Sequence, residues 1–207
     1  MSDPPSLDAA YALQSPDAMR KLYADWAQGY DTGFGVAQGY QLPAAVARAF
    51  RTAGGQGPVL DVGAGTGLVG ERLARAGVGP LDALDLSPQM LAVAADKGLY
   101  RDLVAGDLFD PGLALGSYKG LVSAGTFTLG HVGPEGIAPL LRWLEPGALA
   151  VISVNLRHFE AAGFAAALAA LDGRIDRPNF SDVRIYDDRA EAAHRDDMAR
   201  LVTFRTI

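Results

Sequence analysis

From Pro58 onward, short apolar runs alternate with amphipathic stretches. Val59 to Val62, Leu81 to Leu86, Leu103 to Ala105, Gly120 to Ser123 and Leu149 to Val154 have the length and composition of buried strands. Between them the apolar spacing widens to three and four residues. That spacing predicts helices over Leu68 to Ala76, Pro88 to Lys97 with Ser87 as N-cap, Pro134 to Leu144, and Arg157 to Leu171. Ile137, Leu140, Leu141 and Leu144 repeat at i, i+3, i+4 and i+7. Strand and helix alternating at this interval require right-handed crossovers and a mainly parallel sheet covered on both faces, a doubly wound α/β architecture. The alternation stops after Leu171. Asp182 to Tyr186 and Leu201 to Ile207 read as strands joined by a charged connector, a hairpin at the sheet edge.

The first fifty residues follow another pattern. Residues 1–14, with Pro4, Pro5 and scattered polar positions, read as a flexible tail ahead of a single domain over 15–207. Ser15-Pro16-Asp17 has the chemistry of a helix start: a hydroxyl N-cap, proline at the first helical position and an acid at the positive end of the dipole. Tyr23, Trp26 and Tyr30 fall on one face of that helix. Four glycines between Gly29 and Gly39 predict that it gives way there to a mobile loop, before Leu42, Val46, Ala49, Phe50 and Ala53 restore a helical stripe. Residues 15–53 are expected to pack on the sheet or cover a ligand site as a lid, with Tyr23, Trp26 and Tyr30 as candidate contacts and Tyr30 favoured by its place at the glycine-rich end.

Charge and composition remove several functions. A length of 207 residues supports one sizeable core. Asp and Glu number 24 against 18 Lys and Arg, a formal net charge of -6, so no electrostatic footprint for nucleic acid is expected. With no cysteine there is no thiolate nucleophile and no Cys-ligated metal site. No basic leader and no long apolar run occurs, which points to a cytoplasmic protein without membrane contact.

In a doubly wound sheet, ligands bind where strands end, near the point at which strand order reverses. Strand one runs into Asp61-Val62-Gly63-Ala64-Gly65-Thr66-Gly67, strand two ends in Asp85-Leu86-Ser87, strand three in Gly106-Asp107-Leu108, and strand four in Ser123-Ala124-Gly125-Thr126. Three successive ends carry a carboxylate. Gly65 to Gly70 satisfies the G-x-G-x-x-G dinucleotide fingerprint, yet it opens two residues past the glycine at the strand end, and Asp61 would oppose a pyrophosphate. A ligand with a cationic amino-acid end and a nucleoside end fits better. Asp85 can accept two ribose hydroxyls, Asp107 an adenine amine, and Asp61 can neutralise an ammonium directly or through water. S-adenosylmethionine has all three groups and a sulfonium cation besides.

The segments VLDVGAGTG (59–67), LDALDLSPQML (81–91), AGDL (105–108) and LVSAGTFTLGHVGPE (121–135) resemble the motif series of class I S-adenosylmethionine-dependent methyltransferases. The resemblance implies a seven-stranded sheet of order 3-2-1-4-5-7-6. It implies a methionine pocket shaped by Gly63, Ala64, Gly65 and Gly67, a ribose held by Asp85, and an adenine between Leu86 and Met90, completed by Gly106, Asp107 and Leu108. Ser123, at the end of strand four, joins this set. LYADWAQGYD (22–31), GYQLP (39–43) and TFTLGHVGPE (126–135) are similar to the Williams-Beuren-syndrome-region methyltransferase-like group. The Ser-Ala-Gly-Thr end of strand four lacks the Asn/Asp-Pro-Pro-Tyr signature of adenine or glutamine amide methylation.

His131 follows strand four on the expected acceptor side, and its unperturbed pKa of about 6.5 suits a general base. His158 and His194 lie in polar stretches and read as surface residues. The acceptor pocket is expected from the Tyr30 to Tyr40 loop, Thr126 to Glu135 and His158 to Phe164, and a small molecule is the expected acceptor. Two other functions use the same residues: a regulatory protein that binds S-adenosylmethionine without transferring its methyl group, and an NAD(P)-dependent oxidoreductase using the Gly65 to Gly70 fingerprint.

Overall fold

The computed structural model describes residues 16–207; the expected tail and the Ser15 cap lie outside the described residues. Seven strands form one sheet of order β3-β2-β1-β4-β5-β7-β6. They are β1 (Val59–Val62), β2 (Leu81–Asp85), β3 (Asp102–Ala105), β4 (Tyr118–Phe127), β5 (Leu144–Asn155), β6 (Asn179–Arg184) and β7 (Met198–Arg205). The first five run parallel, with Val59 beside Leu81 and Gly120, while β7 is antiparallel to both β5 and β6. Strand order reverses between β1 and β4, which opens a crevice at their carboxyl ends.

Side-chain alternation divides the core. Leu60 and Val62 of β1, with Leu121, Ile152 and Phe204, face one helical layer; Val59, Val122, Val151 and Leu201 face the other. The second layer holds α2 (Leu42–Thr52), which buries Val46 and Phe50, and α3 (Leu68–Arg75), which buries Val69 and Leu73. Next comes α4 (Pro88–Asp96), where the Ser87 hydroxyl accepts from the Met90 amide at 3.3 Å, as a cap should. At the far ends of the strands, Asp82 of β2 accepts from Tyr118 of β4, across β1, and from Arg101, which leads into β3.

Three elements depart from the expected pattern. The helix predicted over Pro134 to Leu144 is a 3₁₀ turn (Pro134–Gly136), one turn of α5 (Ile137–Leu140) and a second 3₁₀ turn (Leu141–Trp143), after which β5 begins. Pro139 offers no amide to a longer helix. The helix predicted over Arg157 to Leu171 divides into α6 (Leu156–Ala162) and α7 (Phe164–Ala169) at Gly163, whose φ of 85° stops the first helix and starts the second. The glycine-rich segment after α1 (Pro16–Trp26) continues winding as a 3₁₀ turn (Ala27–Gly29) and a π-helical stretch (Tyr30–Val36) instead of opening into a loop. Its side chains find partners on the sheet end, described below. Among the described residues no helix is long and apolar enough to cross a membrane.

Candidate active site

The chain leaves β1 through Gly63, whose φ is 66° and whose amide donates to the Leu84 carbonyl at 2.7 Å. A Cβ at Gly63 would stand 2.0 Å from the Thr126 hydroxyl oxygen, so the turn and the close approach of β4 both require glycine. From the crest of this loop the Gly65 amide donates to one Asp85 oxygen at 2.7 Å, and the Ser87 amide donates to the other at 2.8 Å. Burial raises the Asp85 pKa, and these amide hydrogen bonds oppose the rise only in part. The result is a carboxylate of fixed orientation at the end of β2.

Asp61 shares the α2 and α3 side of β1 with Val59 and is 1 % exposed. Tyr100 donates to one of its oxygens at 2.7 Å, while Oδ1 has no hydrogen-bond partner. Burial pushes its pKa up to about 7, with the charge of Asp85 acting in the same direction. Alternation along β1 therefore puts Asp61 beneath the glycine loop and not in the cavity wall.

A cavity of about 240 Å³ opens at the crevice. It collects Gly63, Ala64, Gly65, Asp85, Leu86 and Met90 on one side, then Gly106, Asp107 and Leu108, with Tyr23 and Tyr30 from the lid and His131 from beyond β4. Trp26, Gly67 and Ser123 are not in its wall. Trp26 is buried at 5 % exposure with its ring edge-on to Tyr23, Gly67 caps α3 against Tyr100, and the Ser123 hydroxyl donates to Thr126.

The segment around Tyr30 is anchored by charge. Asp31, the residue after Tyr30, accepts from the Thr66 hydroxyl at 2.5 Å and from Lys97 at 2.6 Å, and Lys97 also pairs with Glu71 of α3. Nothing in the sequence pattern couples these distant residues. Tyr30 itself is half-buried, and desolvation holds its pKa well above the ordinary tyrosine range, with Tyr40, Tyr23, Asp31 and Asp85 adding to the effect.

His131 is held at both nitrogens. Nδ1 lies 3.0 Å from the Leu129 carbonyl oxygen, which can only accept, so Nδ1 carries the proton and Nε2 of the neutral ring accepts from the Tyr23 hydroxyl at 3.0 Å. Burial lowers the His131 pKa, with His158 acting in the same direction, so the ring is neutral at physiological pH. Around it the wall is built by Tyr40, Thr126, Asn155, Ile185 and Tyr186, with the Tyr40 and Tyr186 rings 5.9 Å apart. Asn155 ends β5 and was accessible to the strand-end rule; Tyr186 comes from the hairpin and carried no sequence signal. The expected His158 to Phe164 contribution is absent from the wall: His158 bonds the Val132 carbonyl and Phe164 is fully buried against Phe127. His194 is likewise no surface residue, being buried beside Asp197 at 3.0 Å.

Residues 59–147, from β1 into β5, match the family model described as a methyltransferase domain. The human methyltransferase-like protein 27 is 32 % identical over 159 residues, which span 70 % of this chain and 64 % of that protein. From β1 into β5 the chain is therefore similar to methyltransferase domains. The human relative agrees with the narrower resemblance read from residues 22–43 and 126–135. Two solved structures share the fold. Magnesium protoporphyrin IX methyltransferase (ChlM) from Synechocystis PCC 6803, with bound S-adenosylmethionine, superposes with a TM-score of 0.64 at 18 % identity, covering 94 % of this chain and 98 % of that one. The [4+2]-cyclase SpnF superposes with a TM-score of 0.68 at 18 % identity, covering 93 % and 96 %.

The cavity of this chain has features that fit S-adenosylmethionine. A Cβ at Gly65 would meet no protein atom within 4 Å, so the loop crest presents bare backbone. Two carboxylates with raised pKa values, the buried Asp61 and the half-buried Asp85, would be stabilised by a cation, and Asp85 stands as an oriented acceptor for hydroxyls.

Proposed function

We propose that this protein transfers a methyl group from S-adenosylmethionine to a small-molecule acceptor. The observation that carries this reading is the carboxylate of Asp85, fixed by the amides of Gly65 and Ser87 at the end of β2 and facing a cavity at the strand-order switch point. S-adenosylmethionine is the cofactor, and it supplies a methyl carbon on a good leaving group. The chain's own residues then have positional work. Asp85 takes the ribose hydroxyls, and Leu86, Met90, Asp107 and Leu108 enclose the adenine. Gly63 to Gly65 admit the methionine portion, and Asp61 balances its ammonium through water.

Tyr30, bound into the lid beside Asp85, closes the cavity from above and excludes water. Methyl transfer needs nucleophile, carbon and sulfur in line, with about 3 to 3.5 Å between reacting atoms, so alignment supplies most of the catalysis. A base is needed only when the acceptor must lose a proton, and His131 Nε2 is the group placed for it. The antiparallel β7 and the glycine at the strand end favour this reading over dinucleotide binding, whose parallel six-stranded order is different.

The test is product formation. Incubation with S-adenosylmethionine and a mixture of small nucleophiles should yield S-adenosylhomocysteine together with an acceptor heavier by one methylene, read by mass spectrometry. Cofactor binding without any methylated product across the mixture would instead favour a non-catalytic binding protein, and the cyclase SpnF shows that this fold also serves other chemistry.

A further inference from the structure

The acceptor half of the cavity has a chemical character of its own. Among the described residues no Lys or Arg lines the cavity, and its two carboxylates, Asp85 and Asp107, stand at the ends of β2 and β3, on the cofactor side of the switch point. Across that point the wall is Tyr40, Leu42, Pro43, Ile185 and Tyr186, with Tyr23 and Tyr30 above. Three polar groups there have protein partners, while the Thr128 hydroxyl and the Asn155 amide nitrogen are neutral groups open to a ligand. The Thr126 hydroxyl donates to the Val62 carbonyl, the Ser153 hydroxyl accepts from the Gly125 amide, and the Asn155 side chain accepts from the His158 amide. An anionic acceptor would find no protein cation in this half and a cationic one no carboxylate, and leaving either charge desolvated is costly.

His131 adds the second constraint. Its neutral, weakly basic ring is mismatched to an aliphatic alcohol, whose proton is several orders of magnitude less acidic than that of a phenol or enol; an alkylammonium is disfavoured by its charge. The group already hydrogen-bonded to Nε2 is a phenol, the Tyr23 hydroxyl at 3.0 Å, with the two rings edge to face at 5.7 Å. The lid thus presents to the base the functional group that the base and its apolar surroundings fit.

We propose that the acceptor is an uncharged, largely apolar molecule with a phenol- or enol-type hydroxyl, which displaces Tyr23 from Nε2 of His131. This rests on the methyl-transfer reading above. The hydroxyl oxygen forms the new O–C bond, the C–S bond breaks with its electron pair remaining on sulfur, and the O–H proton passes to Nε2. The resulting imidazolium stays held through Nδ1–H to the Leu129 carbonyl until water removes the proton. His158 and Tyr23 are the titratable groups that face this ring.

The test is equilibrium binding of three ligands with one ring system, measured by calorimetry with and without saturating S-adenosylhomocysteine: 2-naphthol, 6-hydroxy-2-naphthoate and 2-naphthylmethylammonium. The expected result is naphthol binding at least tenfold tighter than either charged analogue, and tightened a further three- to tenfold in Tyr23→Phe, which no longer competes for Nε2. His131→Gln should keep naphthol affinity within a few fold. Its rate of naphthol methylation should fall about a hundredfold and follow naphthol ionisation upward with pH. Equal or tighter binding of a charged analogue, no naphthol binding, or weaker binding in Tyr23→Phe would overturn the proposal. Failure of S-adenosylhomocysteine itself to bind would overturn the methyl-transfer reading, a separate outcome seen before any acceptor is added.

Discussion

Asp31 of the π-helical lid accepts a hydrogen bond at 2.5 Å from the hydroxyl of Thr66, the residue between two glycines of the cofactor loop. Lys97 completes the tie by pairing with Asp31 and Glu71 together. The segment is thereby fastened to the glycine loop, and Tyr30 is held at the cavity wall by its neighbour in sequence. Asp31→Ala should weaken S-adenosylhomocysteine binding by about 1 kcal/mol, roughly fivefold, because the tie is partly exposed and screened. Stopped-flow dissociation should place the change in the off-rate. An unchanged off-rate would mean that the lid is held by its rings alone.

Gly63→Ala should damage fold and site together. The new Cβ would lie 2.0 Å from the Thr126 hydroxyl oxygen at a φ of 66°, and neither β1 nor β4 can move without breaking the sheet. A loss of about 2 kcal/mol or more in urea unfolding is expected. Near-wild-type stability would show that the loop relaxes.

Asp61 makes stability depend on pH. Its folded pKa of about 7 lies above the unfolded value of 3.8, so between these limits the folded protein holds a proton that the unfolded chain releases. The group's stabilising contribution is complete below about pH 4 and declines as pH rises to about 7, by at most about 4 kcal/mol. Asp61→Asn should flatten this slope and raise the urea midpoint at about pH 8. Tyr100→Phe should lower it by about 1 to 3 kcal/mol through loss of the carboxylate's hydrogen-bond donor. A slope retained in Asp61→Asn would place the titrating group elsewhere.

How much of this was legible in the sequence depends on the range of the interaction. The four-residue run from Val59 to Val62 is β1 to the residue, and the Ser87 cap and the edge hairpin are local signals that the structure repeats. Each strand end is fixed by its own segment, so the cavity residues from Gly63 to Leu108 could be placed by position. The helix breaks at Pro139 and Gly163 were visible but were overruled by a strong apolar period. The Asp31–Thr66–Lys97 tie and the Tyr40–Tyr186 wall join segments far apart in the chain and have no periodicity to announce them. For Asp61 the position before the loop is clear from the sequence, and its side of the strand follows from alternation, which puts it with Val59 beneath α3 and outside the cavity wall.

The central claim is that the cavity holds S-adenosylmethionine through Asp85, and calorimetric titration of the wild type and Asp85→Ala with S-adenosylhomocysteine, using NADH as control, tests it directly. The account predicts binding near 1:1 in the micromolar range, about -8 kcal/mol. It predicts a loss of about 1.5 to 3 kcal/mol in the variant, with its fold intact, and no response to NADH. Wild-type protein that ignores S-adenosylhomocysteine, or a variant that binds it as tightly as the wild type, would contradict the account.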